Sequence, residues 1–157
     1  MRISTIVSGG QTGADRAALD WAIGQKVSHG GWCPKGRIAE DGVIDLRYRL
    51  TELENSGYRQ RTRQNVLDSD ATLILNLGEL DGGSLETRRI AEQHDKPCLV
   101  IQLDNGIATD ILQCTRTWLH DTGAKILNIA GPRESKRPGI YALAVRFLDE
   151  AMSLAAK

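Results

Sequence analysis

Short, continuously apolar runs alternate along the chain with longer segments whose apolar residues recur every three or four positions. The runs predict strands buried on both faces of a sheet; they lie at residues 3–8, 71–76, 98–103 and 125–129, with a short further strand near Val27. The periodic segments predict amphipathic helices, which lie at residues 14–23, 81–94, 107–119 and 139–155, and a further short helix is predicted at residues 61–67. Strand and helix therefore alternate regularly.

This alternation predicts the fold class. Strands that alternate with helices form parallel sheets covered on both faces, and their crossovers are right-handed. We predict an α/β fold: a Rossmann-like three-layer sandwich with a mostly parallel sheet and helices on both faces, formed by residues 1–157 as a single domain. Ligands bind such sheets beyond the carboxyl ends of the strands, so residues that directly follow strands are the candidates for a site.

One stretch, residues 29–57, has little periodicity. A loop of this length in a small domain is usually functional. Its Lys35 and Arg37 are expected to add positive charge to a ligand site. Glu40 and Asp41 form the one acidic pair that we consider for catalysis, but a salt-bridged surface turn explains them better. We therefore name no catalytic residue.

A glycine-rich turn follows the first predicted strand. Its glycines let the backbone turn at once and bring its N–H groups close to an anion, and the helix that begins there adds unpaired donors and a partial positive charge. We predict that this turn binds the phosphate of a ligand; the alternative is a plain strand-to-helix turn capped by Thr12. The candidate binding residues here are Gly9, Gly10, Gln11, Thr12, Gly13 and Asp15.

A second glycine-rich turn, at Gly82 and Gly83, follows the strand at residues 71–76. Ser84 is predicted to be the N-cap of the next helix, which places Thr87 at the third helical position, facing the same opening. The alternative is a turn that merely connects two elements. Two such helix N-termini on one sheet edge can hold two ends of a ligand, so all four residues are candidates.

The loop after the last strand concentrates cations between two Gly/Pro pairs, which restrict its backbone. Arg133 and Arg137 are predicted to bind phosphate oxygens, which suit the planar guanidinium group. A solvated charged face is the alternative. The remaining candidate binding residues in this loop are Gly131, Glu134 and Ser135.

Composition excludes several classes of function. Lysine plus arginine equal aspartate plus glutamate at 20 each, which disfavours a nucleic-acid binder. No apolar stretch approaches the ~20 residues that span a bilayer. Three widely spaced cysteines without a CxxC pair indicate reduced thiols, and hence the cytoplasm. The three histidines stand far apart, so we predict no protein metal site, and no triad signature is present.

These motifs give the chain a resemblance to a known family. It resembles the putative molybdenum carrier family along nearly its whole length, in GGQTGAD (9–15), PKGR (34–37), EDG (40–42), SDAT (69–72), GGS (82–84), AGPRES (130–135) and PGI (138–140). That family is similar to the lysine-decarboxylase-like (LOG) and Smf/DprA groups of the SLOG superfamily. The resemblance implies binding of molybdenum cofactor, or molybdopterin, a phosphorylated pterin dithiolene that carries molybdenum, for storage or delivery.

One departure from the LOG pattern bears on activity. LOG-type hydrolases carry PGGxGTxxE, in which the glutamate assists hydrolysis. Residues 81–89 lack the second glycine-threonine, Glu86 is offset, and an arginine stands near the position of the carboxylate. The resemblance therefore favours a binding or carrier protein over a hydrolase.

Two alternatives to the carrier stay open: a nucleotide-processing enzyme acting on a nucleoside phosphate or an ADP-ribose-like ligand, with Glu40 or Asp41 as its carboxylate, and a nucleotide sensor. In each case the partner is a phosphorylated small molecule. We also predict a homo-oligomer, for which the apolar stripe of the helix at residues 107–119 offers a face; core packing explains that stripe equally well.

Overall fold

The computed structural model describes residues 3–54 and 58–153, and of Tyr58 only the backbone. The strands are β1 (Thr5–Val7), β2 (Ser28–Gly30), β3 (Trp32–Pro34), β4 (Ile38–Ala39), β5 (Gly42–Val43), β6 (Thr51–Leu53), β7 (Ala71–Asn76), β8 (Cys98–Gln102) and β9 (Ile126–Ala130). The helices are α1 (Ala14–Gly24), α2 (Tyr58–Leu67), α3 (Gly82–Gln93), α4 (Thr109–Thr122) and α5 (Ile140–Met152). None of the helices in these ranges is both long and apolar enough to cross a membrane.

The main sheet has five parallel strands in the order β2-β1-β9-β7-β8. The last strand in the chain lies at the centre: Leu127 of β9 is in register with Ile6 of β1 on one side and with Ala71 of β7 on the other. Within the sheet, β2 lies next to β1 at one end of the strand order, and β9, β7 and β8 follow on the other side of β1. The turns that follow β1, β9 and β7 therefore meet at one edge, where strand order reverses.

Helices cover both faces of this sheet, which confirms the predicted three-layer α/β fold. On one face, α1 packs against α5 and α5 against α4, and their apolar sides form the largest core with the sheet. On the other face α2 packs against α3 over a smaller cluster, formed by Val66, Ile90 and Ala91 with Cys98 at its border.

Two central strands carry polar side chains toward the α2–α3 face. Leu73 of β7 and Leu127 and Ile129 of β9 belong to the large core on the other face. Because side chains alternate along a strand, the neighbouring residues Thr72 and Asn128 point to the α2–α3 side. There the Asn128 amide donates a 3.3 Å hydrogen bond to the hydroxyl of Thr72, and both residues are buried. The pleat thus places a polar floor beneath this end of the sheet.

The stretch at residues 29–57, predicted to be irregular, contains four short strands in its described part. Strand β3 pairs in parallel with β6, and β4 and β5 form an antiparallel hairpin. Strands of two or three residues are too short to show an alternating pattern, which is why the sequence gives no sign of them. Cys33, Ile44 and Tyr48 are buried against Leu19 of α1, so the stretch is a packed subdomain; residues 55–57 lie outside the described ranges.

The helix boundaries differ from the predictions chiefly at their starts. Helix α2 begins at Tyr58 rather than 61, and α4 at Thr109 rather than 107. Asp81, not Ser84, is the N-cap of α3, so Ser84 is the third residue of the helix and Thr87 lies one turn further along it. Helix α5 ends at Met152; the predicted extension beyond residue 153 lies outside the described ranges.

Candidate functional site

A cleft of about 310 Å³ opens at the edge where the turns after β1, β7 and β9 meet, and α2 and α3 complete its walls. Its size is at the small end of the range of ligand sites, and its position is the one that parallel sheets use for ligands. It is lined by Gly9, Gln11, Asp15, Arg61, Thr62, Asn65, Gly82, Gly83, Ser84, Thr87, Asn128, Ala130, Gly131, Pro132, Arg133 and Lys136.

The structure brings about half of the predicted binding residues to this cleft. Those that line it are Gly9, Gln11, Asp15, Gly82, Gly83, Ser84, Thr87, Gly131 and Arg133. Those that do not line it are Gly10, Thr12, Gly13, Lys35, Arg37, Glu134, Ser135 and Arg137. The residues of the second group that do not lie exposed on the surface contact other parts of the protein instead.

The β1–α1 turn does not present the row of free N–H groups that its glycines predict. The N–H of Gly10 donates to the hydroxyl of Ser8 at 3.4 Å, and the N–H of Gln11 donates to the Asp15 carboxylate at 3.2 Å. These donors are already occupied within the turn. The N–H groups of Gly10 and Gln11 are therefore not available for the main-chain hydrogen bonds to phosphate that were predicted for this turn.

The start of α1 is packed against the loop that follows β9. The N–H of Ala14 donates to the carbonyl of Pro132 at 3.2 Å. Gly13 has a φ of +80°, and a Cβ at this position would lie 2.3 Å from the Pro132 oxygen. Glycine is required here because the two loops touch through their backbones, and this contact closes the N-terminus of α1 to a ligand.

The N-terminus of α3 faces the cleft. Its N-cap, Asp81, makes no side-chain capping bond, because its carboxylate pairs with Lys136 at 2.6 Å and with Arg137 at 3.3 Å. The first N–H groups of a helix have no partner within the helix and carry a partial positive charge. An anion in the cleft would therefore meet the amides of Gly82, Gly83 and Ser84.

The two arginines of the β9–α5 loop have different surroundings. Arg133 is exposed at the cleft, and its guanidinium makes no hydrogen bond or ion pair to any residue in the described ranges. Arg137 donates to the carbonyls of Leu77 at 2.8 Å and Glu79 at 3.2 Å, besides its contact with Asp81. Arg133 is thus available to a ligand, whereas Arg137 fastens the β7–α3 turn to the β9–α5 loop.

Gly9, Asp15 and Arg61 form a buried recess in the cleft wall. A Cβ on Gly9 would lie 2.9 Å from the nearest Arg61 guanidinium nitrogen and 3.0 Å from the Asp15 carboxylate, so glycine leaves room for both side chains. Arg61 donates to the carbonyl of Gly9 at 3.2 Å. Burial raises the pKa of Asp15 to about 6, against the opposing effect of the nearby Arg61 charge. The recess holds a carboxyl group that changes charge near neutral pH.

Lys35 and Arg37 do not contribute to the cleft. Lys35 is exposed elsewhere on the surface. The guanidinium of Arg37 donates to four main-chain carbonyls at 2.8–3.3 Å, those of Ile44, Asp45, Tyr48 and Leu50. Arg37 therefore holds the segment after β5 in place.

Glu134 and Gly10 have structural contacts as well. Glu134 accepts hydrogen bonds from the N–H groups of Gly139 at 2.7 Å and Tyr141 at 2.9 Å, so its carboxylate caps α5. A Cβ on Gly10 would lie 2.4 Å from the side chain of Leu50. Both positions thus support loops that border the cleft.

Sequence reasoning missed seven lining residues, namely Arg61, Thr62, Asn65, Asn128, Ala130, Pro132 and Lys136. Asn128 carried a usable signal, because a polar residue within an apolar strand points to a site or to a buried hydrogen bond. Arg61 and Asn65 carried none: α2 is polar up to Val66 and Leu67 at its end, and only its packing against α3 shows which of its faces meets the cleft.

No cluster of three or more His, Cys, Asp or Glu side chains suited to a metal ion is present in the ranges that the structure describes. What the cleft does offer is a helix N-terminus, an available arginine, a lysine and a buried carboxyl group. These groups suit a ligand that carries an anion at one end and a polar ring or sugar at the other.

Comparison with known proteins identifies the family of the chain and supports its fold. Residues 6–152 match the circularly permutated YpsA SLOG family. The chain is 48% identical to the putative molybdenum carrier protein from Syntrophus aciditrophicus SB, whose crystal structure superposes with a TM-score of 0.93 over 96% of each chain. None of the curated proteins matches the chain.

Proposed function

The chain belongs to the circularly permutated YpsA SLOG family, and from this premise we propose that it is a binding or carrier protein for a phosphorylated small molecule held in the cleft. Molybdenum cofactor is the first candidate, with storage or delivery as the role. The observation that carries the proposal is the opening of the α3 N-terminus into the cleft beside an arginine available for binding. The name of the Syntrophus protein, at 48% identity, supports the choice of cofactor.

The phosphate end of the ligand is proposed to lie at the amides of Gly82, Gly83 and Ser84. Arg133 flanks this position and supplies positive charge, and Lys136 lies beside it, paired with Asp81. Charge-assisted hydrogen bonds to phosphate are roughly twice as strong as neutral ones, so this end should contribute most of the affinity.

The ring end of the ligand is proposed to lie toward Asp15 and Asn128. Both are polar, buried and part of the lining, so they suit the N–H and carbonyl groups at the edge of a pterin or a nucleobase. In molybdenum cofactor the metal is held by the cofactor's own dithiolene sulfurs. The protein's residues would then bind the phosphate and the pterin.

The contacts of the acidic residues favour binding over turnover. Glu86 pairs with Arg59 at 2.8 Å and does not line the cleft. Asp41 pairs with Arg16 at 3.0 Å, and Glu40 is held by two hydroxyl groups, so neither reaches the cleft. One observation favours the alternative, a nucleotide-processing enzyme or sensor: Asp15 has a pKa of about 6, which suits a general acid or base.

Mass spectrometry of the small molecule that copurifies with the protein tests the proposal. A molybdopterin species, intact or oxidised, is the expected result, and a nucleotide would favour the alternative. The affinity of the identified molecule should then fall roughly ten- to a hundredfold in Arg133→Gln, since the variant loses a charge-assisted bond.

Arg89→Gln is the matched control, because it removes the same charge from an exposed position of α3 outside the cleft. Its affinity should equal that of the wild type. Equal affinity of all three proteins, or no affinity of any of them for phosphorylated pterins and nucleotides, would refute the proposed site.

A further inference from the structure

Three donors from two different loops converge on a single carboxylate at the border of the cleft. The hydroxyl of Thr12 and the N–H of Ser135 both donate to one oxygen of Glu40, the latter at 3.3 Å, and the hydroxyl of Ser135 donates to the other oxygen at 2.5 Å. These hydrogen bonds hold the pKa of Glu40 below its usual value, with the Ser135 hydroxyl as the largest cause. The group of donors thus binds an anion in the free protein.

The Thr12 hydroxyl is oriented by a contact that does not involve Glu40. The oxygen of Thr12 accepts a 3.2 Å hydrogen bond from the N–H of Glu134, which leaves its proton directed outward. Thr12 and Ser135 adjoin residues that line the cleft, Gln11 and Lys136 respectively. Arg133 also lowers the pKa of Glu40, so its positive charge acts on the same place.

Glu40 comes from the turn of the β4–β5 hairpin, which has few apolar anchors. Its cross-strand pair, Ile38 and Val43, is 61% and 73% exposed. Beyond Ala39, which is buried, the hairpin is fastened by polar contacts: Asp41 pairs with Arg16, and the Gln11 side chain donates to the carbonyl of Ile38 at 3.1 Å. Exposed polar contacts of this kind are weak individually and compete with other anions.

We propose that Thr12 and Ser135, with Arg133 beside them, form an oxyanion subsite that the Glu40 carboxylate occupies in the free protein, and that a phosphate group displaces Glu40 on binding. Three donors suit the oxygens of a phosphate at least as well as a carboxylate. The subsite extends the cleft beyond the α3 N-terminus, and displacement frees the β4–β5 hairpin. The inference rests on the proposed function in that it assumes a phosphorylated ligand.

Titration with inorganic phosphate and with pyrophosphate, by calorimetry, tests the subsite. Glu40→Ala removes the competing carboxylate, so it should bind both anions about tenfold more tightly than the wild type. Glu40→Gln keeps an amide oxygen for the same donors without the charge, so its affinity should be intermediate. Glu150→Gln is the matched control: it removes one carboxylate charge from an exposed position near the end of α5, outside the cleft and away from the hairpin, and it should bind like the wild type.

Hydrogen exchange of residues 38–43 provides the second measurement. Pyrophosphate at saturation should speed exchange in the wild type toward the rate of Glu40→Ala. Slower exchange on binding, or anion affinity in Glu40→Ala that is unchanged or reduced, would show that Glu40 stays bound to Thr12 and Ser135 when an anion binds. Either result would overturn the inference.

The two proposals fail separately. If Arg133→Gln weakens the binding of the copurified ligand but Glu40→Ala gains no affinity, the subsite is wrong and the proposed function stands. If no phosphorylated pterin or nucleotide binds, but Glu40→Ala takes up pyrophosphate more tightly than the wild type, the subsite stands without the proposed function.

Discussion

At the scale of a single residue, Asp15 in the lining of the cleft carries a carboxyl group whose burial costs stability. It is buried, and the one hydrogen bond that its carboxyl group accepts within the described ranges comes from the N–H of Gln11. Burial disfavours the charged form, and the pKa rises from 3.8 to about 6. The folded protein therefore holds this proton more tightly than the unfolded chain does.

The sign of the resulting pH dependence follows directly. Between pH 3.8 and 6 the folded state binds more protons than the unfolded state, so the contribution of Asp15 to stability falls as pH rises and stays unfavourable above pH 6. We predict that Asp15→Asn is more stable than the wild type at pH 7.5, by on the order of 2–3 kcal/mol. The difference should vanish below about pH 4, which urea unfolding at the two pH values measures.

Asp110→Asn is the control for this prediction. Asp110 also lies in the first turn of a helix and accepts a main-chain hydrogen bond, from Ile111 at 3.0 Å, but it is exposed and outside the cleft. Its substitution should change stability little and without this pH dependence. A loss of stability in Asp15→Asn at pH 7.5 would mean that attraction between Asp15 and Arg61 outweighs burial.

At the scale of elements, the side chain of Arg37 fastens the segment between β5 and β6. Arg37 donates to four carbonyls of residues 44–50, a segment that lacks helix or strand hydrogen bonds of its own. These carbonyls would lose their donors in Arg37→Gln, so we predict a loss of stability of about 2–4 kcal/mol, because partly buried carbonyls left without partners are costly. Lys35→Gln, at an exposed neighbouring position, should change stability by less than about 0.5 kcal/mol in the same urea titration.

The elements themselves were largely predictable from the sequence. The core strands and the helices α1, α3, α4 and α5 follow hydrophobic periodicity, since each buries one face or both. The β4–β5 hairpin and the β3–β6 pair were not predictable, because strands of two or three residues are too short to show an alternating hydrophobic pattern. Nor could the sequence distinguish Arg133 from Arg137: the loop contains both, and their roles depend on which carbonyls the fold brings within reach.

At the scale of the whole molecule, the cleft depends on the strand order. Residues near 9 and near 131 meet because β9 pairs beside β1, and a sequence gives no local signal for which strands pair. The prediction that ligand residues follow strands was sufficient to find the turns after β1, β7 and β9. It could not show that the turn after β1 packs against Pro132. Because of this packing, the N-terminus of α3 rather than that of α1 opens to the cleft.

Self-association is the remaining prediction at this scale, and the structure changes the face on which we place it. The stripe of α4 proposed for an interface contributes instead to the protein's own core: Leu119 is buried there, and Ile111 and Leu112 pack against it half-buried. The large apolar side chains left most exposed in the described ranges are Ile38, Val43 and Leu46, at 61%, 73% and 82%. We therefore expect two copies to associate through the β4–β5 hairpin and the adjoining Leu46, which would remove these side chains from water.

Sedimentation at tens of micromolar should show an oligomer, since interfaces of ordinary size associate in roughly this range or below it. Val43→Lys combined with Leu46→Lys places two charges on the exposed apolar face, so it should shift the protein to monomer. Its unfolding curve should match that of the wild type at concentrations low enough for the wild type to be monomeric too. Thr117→Lys, on the exposed side of α4, is the control and should sediment like the wild type.

A monomeric wild type would exclude the oligomer at this concentration, whereas dissociation by Thr117→Lys alone would return the interface to α4. If the hairpin does form the interface, pyrophosphate should also weaken association, because the turn that carries Glu40 would be released from Thr12 and Ser135.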